Sequence, residues 1–334
     1  MKKIIYIPPS YKIKKKNIIN TLICFFYDIK ILIKNIYKKK LLSNSTSSYL
    51  EQSLNINFNV LEIPYNFAIL LSKFIDNRFE GIFVNWKFTN LRSDIKLEKK
   101  LINLNKKFKI KKVLVDTRDT QNFYSKEIID SFDLIIQREK KKDNKNEKIL
   151  STILPCKVVG PESFVSNEIQ WDNVGHQSPN KNLKYDIFFS GKSTSPNRKL
   201  IIEKIKEKNL NFIGSIDGTK IPFKEYNENI YNSSINLALE GVGVFTFRHL
   251  EIIANCSFLL CSHKINSLEL PIPLKDGEDF ITYKNIDDLF EKIEFYINNE
   301  KIRQEIAVNA RKTLEKYYSP KKHGKEILNK LYYN

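Results

Sequence analysis

Arg248 and Glu251 stand three residues apart, the spacing that puts two side chains on one face of a helix. A guanidinium there can meet phosphate charge, and a carboxylate beside it can accept hydrogen bonds from ribose hydroxyls. The same spacing also suits a plain ion pair along the helix. Upstream lie Gly241 and Gly243, which let the backbone turn sharply and approach a ligand, and Thr246, a residue type that caps helix starts. A helix beginning at Phe247 would aim free N–H groups and its positive dipole end at that turn. This grouping suits a phosphate or diphosphate.

A second group is Gly191-Lys192-Ser193-Thr194, followed by Arg198. It is not a Walker loop, because that motif needs a glycine five residues before its second glycine, and Asp186 stands there. ATP hydrolysis is therefore disfavoured. The turn can offer backbone N–H groups and Lys192 to a donor phosphate, or Lys192 can be a solvated turn lysine. Arg198 can reach the same phosphates or form an ordinary salt bridge on its own helix. Asp116 and Asp119 follow an apolar run, and polar residues just past a strand end face the crevice of an open parallel sheet. Either can take the proton of an acceptor hydroxyl. The competing reading is a capped helix start with a local Asp–Arg pair.

The elements that must position these residues follow from apolar periodicity. Residues 4–7, 81–86, 112–116 and 133–137 read as strands, and residues 18–37 and 66–75 as helices. Residues 42–54 are Ser-rich and read as a loop, and 138–148 as a charged surface run. In the second half, 186–190, 210–213, 235–239, 256–261 and 280–283 read as strands. Helices are expected from 197 onward, over 222–232, 247–254, 286–297 and 302–317, and in the tail over 325–332. Alternating strands and helices argue for an α/β fold with parallel sheets. Pro155, Pro161 and Pro179, with Gly160 and Gly175, mark a linker. The expected division is a first domain over 1–155, a linker over 156–184, a second domain over 185–318 and a terminal helix over 319–334.

The segments YDIFFSGKSTSPNR, INLALEG, FRHLEIIANCSFLLCS and LKDGEDFITY, the last followed by DDLFEKI, resemble the nucleotide domain of GT-B glycosyltransferases. Within that class the chain resembles the bacterial glycosyltransferase family 1-like group related to spore-maturation (CgeB-like) proteins, with distant likeness to exostosin-type domains. The resemblance implies two Rossmann-like domains facing a central cleft, with a nucleotide-sugar donor held by the second. By that likeness Glu251 matches the glutamate that binds the donor ribose, and Asp276 and Glu278 fall in the donor-side loop as candidate sugar contacts. Tyr226 and Tyr231 fall in the segment that frames the base. Many retaining members carry a further glutamate eight residues before the ribose ligand; here that residue is Gly243, which leaves the stereochemistry open. The terminal helix would cross back onto the first domain.

The resemblance and residues together predict a glycosyltransferase with no cofactor and no metal ion. It would move a sugar from a nucleotide-diphosphate donor to a glycan or glycolipid acceptor. The only Asp-Asp pair near the donor half, Asp287-Asp288, begins a surface helix. Two alternatives are a non-catalytic GT-B binding module and a nucleic-acid-binding protein driven by charge. The net charge of +18 favours anionic partners, yet Lys, Asn and Ile rise together in the way AT-rich coding produces, and no nucleic-acid motif accompanies them. The four cysteines, Cys24, Cys156, Cys256 and Cys261, show no ligand spacing, which fits a reducing compartment. MKKIIYIPPS breaks at Pro-Pro before a signal core develops. The expected location is cytoplasmic, with a basic surface suited to peripheral contact with the inner face of an anionic membrane.

Overall fold

The computed structural model describes residues 1–8, 49–86, 94–118, 124–165 and 167–333. The helix expected over 18–37 lies outside the described residues, as does Asp119.

The first half builds a parallel sheet from β1 (Lys3–Ile7), β2 (Asn59–Glu62), β3 (Gly81–Asn85), β4 (Lys111–Asp116), β5 (Leu134–Arg138) and β6 (Ile149–Thr152). Their order across the sheet is β2-β1-β3-β4-β5-β6. The helices are α1 (Tyr49–Asn57), α2 (Tyr65–Leu70), α3 (Ser72–Arg78), α4 (Asp94–Asn105) and α5 (Lys126–Ser131). Strands covered on both faces are apolar along their whole length, as in GIFVN of β3. Alternate residues serve opposite cores. Ile5, Ile82, Leu114 and Ile135 meet Ile75, Leu101 and Ile128 of α3, α4 and α5. Ile4, Phe83, Val113 and Ile136 meet Leu50 and Leu54 of α1.

The expected loop over 42–54 is corrected where it is described: Tyr49 to Leu54 belong to α1, and Ser53 donates to the Tyr49 carbonyl at 2.7 Å inside the helix. A serine bonded to the preceding turn is compatible with helix, although its type favours loops.

The second half repeats the plan with β9 (Tyr185–Ser190), β10 (Phe212–Ser215), β11 (Ser233–Ala238), β12 (Leu259–Ser262) and β13 (Ile281–Tyr283) in the order β10-β9-β11-β12-β13. Its helices are α6 (Pro196–Glu207), α7 (Phe223–Tyr231), α8 (Phe247–Ala254), α9 (Ile286–Asn298) and α10 (Glu300–Tyr317). Phe188, Leu259 and Cys261 pack under Leu250 and Ile253 of α8, and Ile187, Leu237 and Leu260 pack on Ile202 of α6 and Leu289 of α9.

Between the halves lies a small hairpin of β7 (Phe164–Val165) and β8 (Glu168–Ile169). This connection is not slack. Cys156, Val159 and Val174 are buried in the second core, and Arg311 of α10 donates to the carbonyls of Val174 at 2.8 Å and Trp171 at 3.0 Å. After α10, helix α11 (Pro320–Tyr332) lies on α1, where Ile327 and Leu331 join the first core. No helix among the described residues is long and apolar enough to cross a membrane.

The connection passes α8 at Gly175, whose φ is +55°. A Cβ there would stand 2.1 Å from the Ala254 carbonyl oxygen. Gly175→Ala is therefore expected to cost more than ~2 kcal/mol, from left-handed strain plus the clash. Gly277→Ala meets only the strain, because its φ is +84° and nothing lies within 4 Å. Thermal melts should show the larger drop for Gly175→Ala; equal drops would contradict this reading of the connection.

Candidate functional site

The carboxyl edge of the second sheet collects two guanidinium groups. Arg198 comes from the first turn of α6 and Arg248 from the first turn of α8. Both are at least nine-tenths buried. Their guanidinium carbons lie 5.5 and 4.9 Å from the centre of one ring, Phe189 near the end of β9. Among the described residues neither forms a salt bridge with a carboxylate, and the Nε of each is buried without a hydrogen-bond partner. Burial, followed by the charge of Arg248, pushes Arg198 down to about 10.

Two glycines make this crowding possible. A Cβ on Gly191 would stand 3.0 Å from Nη2 of Arg248, and one on Gly241 would stand 2.7 Å from Nη2 of Arg198. The close approach foreseen for Gly241 is thus made by a protein side chain.

The arginines differ in their partners. Arg198 is committed to the backbone. Its Nη1 donates to the Lys192 carbonyl at 2.7 Å and to the Thr194 hydroxyl at 3.0 Å, and its Nη2 donates to the Leu239 carbonyl at 2.7 Å. It ties the turn after β9 to the end of β11. Arg248 donates through Nη2 to the Ser190 carbonyl.

The turn of Gly191 to Thr194 also differs from a phosphate cradle. The amides of Gly191 and Ser193 donate to Ser215 and Ile216 at 2.9 and 2.7 Å, and the Thr194 amide donates to Lys192 at 2.9 Å. Lys192 packs along Gly218, where a Cβ would stand 2.5 Å from its Cγ.

Helix α8 starts where Thr246 predicts. The Thr246 amide donates to His249 Nδ1 at 3.2 Å, so the imidazole closes the first turn. Burial, then the Arg248 charge, holds His249 down to about 3, so it stays neutral and can accept this bond. Gly243 and Gly241 close the preceding turn, the Gly241 amide donating to the Gly243 carbonyl at 3.2 Å.

Glu251 is one turn along α8 and almost wholly buried. It accepts from the Tyr226 hydroxyl at 3.0 Å. Burial raises its pKa, and Lys157, the Tyr226 bond and Arg248 partly offset this. Lys157 belongs to the connection, and its Nζ lies 3.7 Å from the centre of the Phe247 ring.

Other expected site residues fall elsewhere. Asp116 is fully buried and accepts from Arg118 Nε at 2.9 Å, Arg118 Nη2 at 2.8 Å and the Tyr124 hydroxyl at 2.8 Å. The local Asp–Arg pair of the competing reading is present, stacked on Trp86 with the Arg118 carbon 3.6 Å from the ring. Asp276 is occupied by Asn266 and by the amide and hydroxyl of Thr282, and Glu278 is an exposed partner of Lys275. Neither is brought to Arg248 and Glu251. Tyr231, placed by the resemblance in the segment that frames the base, stacks on the His176 ring with centroids 3.4 Å apart.

A second correction concerns the run after β5, expected on the surface. Arg138, Glu139 and Lys140 are buried. Arg138 Nη2 donates to the Phe245 carbonyl at 2.7 Å, and the Phe245 amide donates to Glu139 Oε1 at 3.0 Å. The start of α8 therefore faces the carboxyl edge of the first sheet. Beside it, Lys140 pairs with Glu269 at 2.8 Å, and Lys141 bridges Leu268. The signal was present: these are polar residues just past a strand end, the rule that singled out Asp116. No group of His, Cys, Asp or Glu among the described residues could hold a metal ion.

A family model described as glycosyl transferase-like matches residues 198–329. The match covers 132 of the 334 residues, from the first turn of α6 into α11. Among solved structures, Alr3699/HepE of Anabaena in complex with UDP matches over 99% of both chains, with a TM-score of 0.50 and 10% identity. TarM matches over 79% of this chain at 13% identity and a TM-score of 0.48; the chain spans 58% of that protein's length. MurG of Acinetobacter baumannii matches over 98% of this chain and 99% of its own, at 8% identity and a TM-score of 0.44. No curated protein matches in sequence. The fold is GT-B, two parallel α/β halves with their sheet edges turned to each other.

A buried carboxylate with a raised pKa stabilises the fold while protonated. That contribution is present below its unfolded value, ~4.3, and is lost as pH rises through the folded value. Glu251→Gln cannot ionise and keeps an oxygen for Tyr226. Its melting temperature relative to the parent should climb between pH 4 and 8. A gap that stays constant with pH would contradict the burial argument.

Proposed function

We propose that the protein transfers a sugar from a nucleotide-diphosphate-sugar to a glycan or glycolipid acceptor held by the first domain, without a metal ion. The observation that carries this reading is the arginine pair. Two helix N-termini and two buried guanidiniums place positive potential at one spot, and among the described residues no carboxylate salt bridge balances it. Such a site favours an anion. Arg248 is the better diphosphate ligand, since both terminal nitrogens of Arg198 are engaged with backbone.

In the transfer, the acceptor oxygen bonds to the anomeric carbon as the bond to the phosphate oxygen breaks. The electron pair leaves on the diphosphate, and the acceptor proton passes to a base. Arg248, the α8 start and the exposed Lys192 would stabilise the leaving charge. Glu251 would hold the ribose, with the Tyr226 hydroxyl yielding its place. UDP is the first nucleotide to try, because the HepE match is a UDP complex. The motif segments favour placement beside the spore-maturation (CgeB-like) group. The basic surface suits peripheral contact with an anionic membrane, and no nucleic-acid partner is expected.

A non-catalytic binding module remains the second reading, favoured by one observation: Asp116 is spent on Arg118 and Tyr124. Slow hydrolysis of a UDP-sugar, continuing in excess EDTA, supports the enzyme; a nucleotide that binds but is never turned over supports the module.

Calorimetry with UDP tests the site itself. Arg248→Ala and Glu251→Ala should each weaken binding by ~30-fold or more, the loss of about 2 kcal/mol common for truncating a buried charged contact. Unchanged affinity in both would remove the donor-site assignment.

A further inference from the structure

We propose that Arg138 and Glu139 are positioning residues: from the first domain they grip the backbone that starts α8 and thereby set the aim of Arg248. This rests on the donor reading above for its functional consequence, though not for the grip itself.

Phe245 has both its backbone groups taken by the other domain, its carbonyl by the Arg138 guanidinium at 2.7 Å and its amide by the Glu139 carboxylate at 3.0 Å. The two charges also pair with each other at 3.2 Å, with 2% of the Arg138 side chain and 1% of the Glu139 side chain exposed. Hydrogen bonds to charged groups are among the stronger ones, and burial removes competing water. Glu139 adopts a φ of +59°, a conformation non-glycine residues seldom take, directly after β5 ends. That turn is what brings two consecutive side chains onto one peptide of the other domain.

The constraint passes down the chain within three residues. The Phe245 ring lies 4.9 Å from the His249 ring, and His249 accepts the Thr246 amide at 3.2 Å. Phe245, Thr246 and His249 thus form a rigid start for the helix, and Arg248 is its second residue. Neither Arg138 nor Glu139 is placed on the donor. They act by fixing the frame from which Arg248 reaches, so donor affinity in the second domain depends on an ion pair in the first.

The test uses the full chain in two variants. Glu139→Gln keeps an oxygen for the Phe245 amide. Glu139→Gly removes it while suiting the left-handed backbone, which separates loss of the contact from loss of the fold. UDP affinity is measured by calorimetry well below the melting temperature, and amide hydrogen exchange is followed in peptides spanning residues 240–254. The expected result is at least tenfold weaker UDP binding and faster exchange at 240–254 in Glu139→Gly, with most of both restored in Glu139→Gln. Unchanged exchange in Glu139→Gly overturns the grip. Faster exchange with unchanged UDP affinity overturns the positioning role. If the parent protein binds no UDP, the donor reading fails for this nucleotide; exchange at 240–254 then decides the grip alone, faster exchange upholding it and unchanged exchange overturning it.

Discussion

A guanidinium group loses the water that stabilises its charge when it is buried, and a second guanidinium beside it adds repulsion. Arg198 and Arg248 pay this cost at one place, against the same phenylalanine ring. The surrounding sequence is arranged to permit it. Gly191 and Gly241 withhold the side chains that would collide with them. Three backbone carbonyls, of Lys192, Ser190 and Leu239, supply partial negative charge in place of carboxylates. Among the described residues no carboxylate salt bridge balances the two charges, and this is what the proposed diphosphate donor rests on.

The rest of the architecture brings that spot to the other half of the molecule. Both sheets are parallel, so each collects its strand ends, and its polar residues, at one edge. The start of α8 is where the two edges meet, through Phe245. Arg311 holds the connection against α10 and α8, α11 returns to α1, and Arg138 to Lys141 meet the second half at Phe245, Leu268 and Glu269. A neutral His249 is part of the same arrangement, because a protonated ring would face Arg248 and Arg138.

Much of this was legible in the sequence where local physics decides. The bounds of α8, residues 247–254, followed from apolar spacing and a cap-type residue, and the buried strands followed from runs of β-branched residues. Glycine positions were legible as places of close approach. What approached was not, because Arg198 is 43 residues from Gly241 and only the sheet register brings them together. Asp116 illustrates the same limit. Sequence spacing offers Arg118 as a partner, but the second partner, Tyr124, reaches the same carboxylate only through the fold. Arg138 to Lys140 are buried despite their charge, because for them strand-end position is a stronger signal than residue type.

The most direct measurement is a crystal structure of the full chain with UDP bound. Diphosphate oxygens are expected at the start of α8, within ~2.7–2.9 Å of the Arg248 guanidinium, and ribose hydroxyls on the Glu251 carboxylate with Tyr226 displaced. UDP found at another surface, with Arg248 still resting on the Ser190 carbonyl and Glu251 still bonded to Tyr226, would contradict that placement.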